Sequence, residues 1–259
     1  MTRPRIATLD IETAPIEAYV WSLWKQNVGL NQITTEWSLL SYAVKWLDKK
    51  RVTYKDNRDK LDPRDDRELM EDLWHIINDA DIIVAQNGLM FDLRKIRARF
   101  VLLGFPPPSP VRVVDTMLEA RKAFAFTSNK LEWLSDKLSS TKKLKHKRFP
   151  GFELWAECLK HNVAAWNEMR SYNIVDVKAT EEVYLTIRPW IQGHPNITIY
   201  DDEDTLRCPC CGSDNIKQDG YAYTQVSQYY RYVCDDCKAW SRSRYTINSL
   251  TKRKSLLAS

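Results

Sequence analysis

The chain has 259 residues, 44% hydrophobic and 28% charged, with 39 basic against 34 acidic side chains and a formal charge of +5. At about 150 residues per domain the length suits one full domain and a small one. No run approaches the ~18 apolar residues of a membrane helix, and no Gly-rich pattern marks a dinucleotide or P-loop site. The first residues enter an apolar segment with no secretory h-region, so a reducing, cytoplasmic setting without membrane association is expected.

In chain order, residues 4–12 read as a short apolar strand and residues 21–37 show no period. Residues 39–47 and 51–55 read as a strand pair, and Asp65 to Asn78 has helical periodicity. Residues 81–86 are a buried-type strand. A helix from Asp92 to Leu103 stops at Gly104, before Pro106-Pro107-Pro108, and residues 111–115 form another strand. Thr116 to Trp190 reads as helices, interrupted by a basic loop at 141–151. Strands first, then alternating helices and strands, then helices, describe a mixed α/β sheet. The aperiodic, acidic stretch from Pro189 to Arg207 is taken as the boundary: a domain over 1–192, a linker over 193–205 and a small domain over 206–259. Asn196-Ile197-Thr198 matches a glycosylation sequon, read as coincidence in the absence of a signal peptide.

Carboxylates mark the candidate chemistry. Asp10 and Glu12 are two apart on a strand and share one face, while Leu9 and Ile11 face the other way. Neighbouring carboxylates repel, and a divalent cation with oxygen ligands is the natural counter-charge. Asn87-Gly88-Leu89-Met90-Phe91-Asp92 leads from a strand end into a helix, where open α/β sheets place their sites; an ordinary helix cap also accounts for Asp92. Asp176 follows Tyr172 by four residues, so the two share a helix face, which also describes a surface Asp beside a half-buried Tyr. Asp115 is a spare carboxylate read as structural.

The segments LDIET, NGLMFD and YNIVD, on strand, strand-to-helix turn and helix, resemble the three motifs of the DEDD superfamily of 3′–5′ exonucleases. The resemblance covers roughly residues 5–188. Tyr172 four residues before Asp176 looks like the tyrosine subgroup, which includes DNA polymerase proofreading domains; the histidine expected in the other subgroup would stand at position 171, a serine. The resemblance implies an RNase H-like fold, a mixed sheet flanked by helices, with two Mg²⁺ or Mn²⁺ ions. Asp10 would bridge both ions, Glu12 and Asp176 would complete the nucleophile-side ion, Asp92 would hold the leaving-group side, and Tyr172 would orient the attacking water. Asn87 and Phe91 shape the turn, with Phe91 also able to stack on a terminal base.

Five of the six cysteines lie between Cys208 and Cys237. Cys208 and Cys211, then after 22 residues Cys234 and Cys237, have the spacing of a structural zinc site, with Cys210 as an extra thiol. The segment resembles a zinc ribbon over about 206–245, holding one structural Zn²⁺. Lone Cys158 is read as core. Some of the five tyrosines between the knuckles must pack on hairpins, and others remain free to stack on bases. Basic clusters at Lys142, Lys143, Lys145, Lys147 and Arg148, and at Arg242, Arg244, Lys252, Arg253 and Lys254, are candidate phosphate contacts or solvated surface.

The expected activity is metal-dependent 3′–5′ exonucleolysis of nucleic acid, DNA in preference to RNA, with the ribbon gripping nucleic acid or a protein partner. A compact enzyme of this kind suits a bacterial or phage setting. A structure-selective endonuclease on the same fold and a non-catalytic nucleic-acid-binding adaptor are the alternatives.

Overall fold

The first apolar segment forms strand β1 (Ile6–Thr13). A small antiparallel pair, β2 (Glu17–Ala18) and β3 (Ile33–Thr35), begins and ends around the stretch without sequence period. Next come β4 (Leu39–Trp46), β5 (Thr53–Asp56), α1 (Arg67–Asp79), β6 (Ile82–Ala85), α2 (Asp92–Leu102) and β7 (Arg112–Asp115). The helices α3 (Thr116–Ala123), α4 (Leu131–Leu138), α5 (Glu153–Leu159) and α6 (Val163–Ile187) follow. This computed structural model describes residues 3–144 and 148–258, so Lys145 and Lys147 lie outside the described residues. The chain divides into two units, Arg5–Tyr184 and a second that begins at Leu185.

The first unit holds a five-stranded sheet in the order β5-β4-β1-β6-β7. β4 is antiparallel to β1 and β5, and β6 is parallel to β1 and β7. Parallel neighbours need a crossover, and α1 and α2 provide the two that lead into β6 and β7. β6, Ile-Ile-Val-Ala, is buried on both faces, as a parallel strand between layers requires.

Period two divides β1. Leu9 and Ile11 join Leu69, Leu73, Leu93, Ile96 and Phe100 in a core with α1 and α2. A second cluster, of Ala14, Leu40, Leu154, Cys158, Ala165, Trp166 and Met169, packs α5 and α6. A buried ion pair from Lys45 Nζ to Glu181 Oε1, 2.6 Å, also ties α6 to β4. The result is the mixed α/β sheet flanked by helices that the sequence predicts. The 116–190 region is more broken than its pattern suggests: residues 124–130 are not helical, and α6 gives way to a 3-10 turn at Arg188–Trp190, where Pro189 lacks a backbone donor.

In the second unit β8 (Ile216–Tyr223), β9 (Gln228–Cys234) and β10 (Trp240–Arg242) form an antiparallel sheet in the order β10-β9-β8, followed by a short α7 (Leu250–Lys254). Within 193–205, a 3-10 turn at Ile197–Tyr200 buries Ile197, whose N–H donates to the Pro209 carbonyl at 3.0 Å.

Candidate active site

β1 delivers Asp10 and Glu12 on the face away from the Leu9–Ile11 core. Pairing with β4 shifts register between Glu12 and Thr13, so the regular ladder ends where the second carboxylate stands.

The turn after β6 delivers the third. Asn87 has φ of 63°, and a Cβ on Gly88 would meet the Ala85 Cβ at 2.4 Å, so only glycine fits there. Asp115, buried at the end of β7, accepts from the Asn87 and Leu89 backbone N–H groups at 3.0 and 3.1 Å and caps α3 through Met117 and Leu118. Asp92 opens α2 without serving as its cap residue: the Ile11 N–H donates to Asp92 Oδ1 at 3.2 Å.

α6 delivers Tyr172 and Asp176, one turn apart, and Asn173, whose amide donates to Asp10 Oδ2. Lys143 enters from the segment after α4. Its ammonium pairs with Asp176 and lies 4.5 Å from the centre of the Tyr172 ring. The Trp155 indole N–H donates to Glu12 Oε2 at 2.9 Å. Asp10, Glu12, Asn87, Phe91, Asp92, Lys143, Tyr172 and Asp176 thus line one cavity of about 190 Å³.

Burial, then the charges of Asp92, Glu12 and Asp176, hold the Asp10 carboxyl well above its usual range. Burial and the Asp176 charge push Glu12 up to about 8, against the hydrogen bond from Trp155. Burial pushes Asp92 up to about 7, against donation from backbone N–H groups. Asp176 is raised by burial despite Lys143 beside it. Burial opposes the Lys143 charge, but Asp176 outweighs it and the ammonium titrates higher than an ordinary lysine. Burial and the Asp176 and Glu12 charges hold the Tyr172 phenol protonated.

Four carboxyls and one ammonium leave negative charge uncompensated, and Asp176 Oδ1 is buried without a hydrogen-bond partner. Hard oxygen donors in surplus over positive charge fit divalent cations. No three of these carboxylates bring ligand atoms within 4.8 Å of one another; among the described residues the cysteines alone form so tight a set. To hold one ion, three of the acids would have to draw closer together than they stand here.

Cys208, Cys211, Cys234 and Cys237 form that tight set. The Cys208–Cys237 and Cys211–Cys234 sulfurs are 3.6 Å apart. A tetrahedron with Zn–S arms of about 2.3 Å has edges of about 3.8 Å, so the cluster is compatible with a zinc ribbon. Backbone N–H groups of Cys210 and Cys211 point at the Cys208 sulfur, and those of Asp236 and Cys237 at the Cys234 sulfur. Cys210 is buried outside the set, as is Cys158 in the first unit.

Not every expected contact residue lines the carboxylate cavity. The Lys142 ammonium donates to the carbonyls of Ser135, Asp136 and Ser139 at the end of α4. Arg242 lies over the Tyr229 ring at 3.9 Å and Arg244 over Tyr245 at 5.7 Å. Asn173 and Trp155 escaped the sequence reading. Asn173 carried one available signal, its place between Tyr172 and Asp176; Trp155 carried none, because its contact spans 143 positions.

No curated protein matches the chain. The structure of the family B DNA polymerase from the hyperthermophilic archaeon Pyrobaculum calidifontis is similar, with a TM-score of 0.52 and 18% identity over 73% of this chain. The likeness spans 25% of that polymerase and is one of fold. Among the described residues no helix is long and apolar enough to cross a membrane. The RNase_H superfamily model matches residues 28–188, more than half of the sequence, beginning after β1 and running through α6. The chain belongs to the RNase H superfamily.

Proposed function

We propose that this protein is a metal-dependent 3′–5′ exonuclease that hydrolyses phosphodiester bonds of nucleic acid, DNA in preference to RNA. The observation that carries this reading is the meeting of Asp10, Glu12, Asp92 and Asp176 in one cavity with Tyr172 a helical turn from Asp176. Membership of the RNase H superfamily supports a nuclease, and the fold likeness to a DNA polymerase agrees with the DEDD resemblance.

Asp10, Glu12 and Asp176 would hold one Mg²⁺ or Mn²⁺ ion, and Asp10 with Asp92 a second. Such a pair, when bound, supplies an activated water and charge for the leaving oxygen. The protonated Tyr172 hydroxyl positions the water beside Asp176. Lys143 offers a cation to the phosphate, and Phe91, partly exposed at the cavity, stacks on the terminal base. The four clustered cysteines would hold one structural Zn²⁺.

The test is digestion of 3′- and 5′-end-labelled single strands, duplexes and RNA with magnesium, manganese or EDTA. Progressive shortening from the 3′ end, abolished by EDTA, is expected. Asp176→Asn should keep the fold by circular dichroism and cut at least about a thousandfold more slowly, since a lost ion costs several kcal/mol in the transition state. Cleavage of a circular single strand would indicate the endonuclease instead. Absence of cleavage with either ion would overturn the enzymatic reading in favour of a binding adaptor.

A further inference from the structure

The unit that begins at Leu185 contains a cavity of about 620 Å³, within the range that holds small ligands. Residues 188–194 and 196 line it together with Pro209, Cys210 and residues 239–244. Its composition has one sign of charge: Arg188, Arg242 and Arg244 face it, and neither Asp nor Glu does. His194 adds no charge near neutral pH, because burial, with the Arg188 charge, pulls it down to about 4, against the hydrogen bond to the Pro195 carbonyl.

The rings at the cavity are not core. Trp190 is 66% exposed and Trp240 is 54% exposed. Trp240 and Arg242 alternate on one face of β10, and Arg242 stands directly opposite Arg231 on β9. Like charges opposite each other on a sheet repel. The Arg231 guanidinium lies over Trp240 at 4.6 Å and that of Arg242 over Tyr229 at 3.9 Å. Arg231 also has Asp219 at 3.7 Å, but that carboxylate is half exposed and screened. The sheet face is therefore a ladder of alternating cations and rings that runs to the cavity, with Asp219 beside Arg231 as its one nearby carboxylate among the described ion pairs and no acid at Arg242.

An open cleft with arginines, exposed indoles and no acid in its lining matches a nucleotide, whose phosphate is anionic and whose base offers a flat face. A duplex hides its base faces; a single strand presents them. We infer that this cavity seats a nucleotide of a single-stranded nucleic acid, with Arg188, Arg242 and Arg244 at its phosphates and Trp190 and Trp240 at its bases. The inference goes beyond the nuclease reading, since binding here requires no hydrolysis.

The test uses the full, zinc-loaded chain with Asp176→Asn, so that the probe survives, and a fluorescein-labelled twelve-residue oligothymidylate. Trp190→Ala and Trp240→Ala should each weaken binding by about 5- to 150-fold, the effect of one lost stacking platform. Arg242→Ala with Arg244→Ala should flatten the slope of log affinity against log salt by about 1.4, at about 0.7 per phosphate contact. Trp190 and Trp240 lie on different segments, so a folding defect in one variant leaves the other informative; zinc content monitors the fold. Lys252, Arg253 and Lys254 do not line the cavity, and their triple alanine variant should retain both tryptophan effects. Three results would overturn the proposal: unchanged affinity in both tryptophan variants, equal binding of a duplex of the same length, or displacement of the probe by polyglutamate as readily as by oligothymidylate, which would indicate an acidic protein partner. Hydrolysis of thymidine 5′-p-nitrophenyl phosphate by the unmodified chain, measured separately, shows whether the nuclease reading has failed on its own.

Discussion

Tyr172 is fixed from three directions. It shares a face of α6 with Asp176, its ring meets Trp155 edge-on at 6.4 Å between centroids, and the Lys143 ammonium sits over it. Tyr172→Phe preserves these ring contacts and removes only the hydroxyl. We expect a fall in kcat of about 10- to 1000-fold, the scale of one positioned proton-handling group, with little change in melting temperature. Unchanged kcat on labelled oligonucleotides would make Tyr172 a packing residue. The resemblance of three short segments singled out the acids; local periodicity added that Asp10 and Glu12, two apart on β1, and Tyr172 and Asp176, four apart on α6, share faces, and by itself it left Asp92 as an ordinary helix cap. Asn173, Trp155 and the placement of Lys143 depend on elements far apart in the chain, and periodicity carries no such information.

At the scale of elements, α6 also organises the segment that brings Lys143 to the carboxylates. Glu182 accepts from the hydroxyls of Ser139, Ser140 and Thr141 and from the backbone N–H groups of Ser140 and Thr141, over 2.6 to 2.9 Å. Burial alone would raise this carboxyl, but the donors bring it down to about 2. A depressed carboxyl stabilises the fold above its unfolded pKa, near 4.5, and loses that contribution as pH falls toward 2. Glu182→Gln should therefore destabilise by about 1–2 kcal/mol at pH 7, allowing for solvent screening. The gap in melting temperature between the two proteins should narrow steadily from pH 5 to pH 3, and a gap independent of pH would contradict this account. Activity should fall as well, because Lys143 follows the clamped turn. Nothing in the sequence marked Glu182: on its helix it is one glutamate of a Glu-Glu pair, and its partners lie 41 to 43 positions away.

For the whole molecule, the two units rest on different forces. The first has an apolar core on each side of its sheet. In the second, among the described residues, Cys208, Cys210, Cys234 and Ala239 form a small buried cluster with Cys211, Ile216 and Cys237 against it, and Ile187 and Ile197 are also buried. A cluster this small is a weak support for a fold, and a metal held by the four cysteines would supply folding energy. Chelation should release one zinc per chain and expose the β8–β10 region to trypsin at Lys217, Arg231 and Arg242, while a fragment that contains the first unit and ends at Arg207 or Lys217 survives. Loss of the whole chain in one step would show that the units fold together. The cysteine cluster was readable because its members pair locally in sequence, and the centre of the sheet because β6 is a continuous apolar run and β1 and β4 are largely buried. The 21–37 stretch resisted because Trp21, Leu23 and Trp24 are exposed, so no buried face imposes a period on them.

The four acids have a common habit. Asp10 Oδ2 accepts from the Asn173 amide, Glu12 Oε2 from the Trp155 indole N–H, Asp92 Oδ1 from the Ile11 N–H, and Asp176 Oδ2 from the Lys143 ammonium. Each is tethered by one oxygen, which restrains its rotation and disfavours two-pronged chelation. Calcium, with six to eight ligands, often takes both oxygens of a carboxylate, whereas magnesium needs only one from each and completes its octahedron with water. On the proposed reading, the tethering donors would set the denticity of the site, and through it would favour the smaller ion; metal titration of activity with Mg²⁺ against Ca²⁺ checks this.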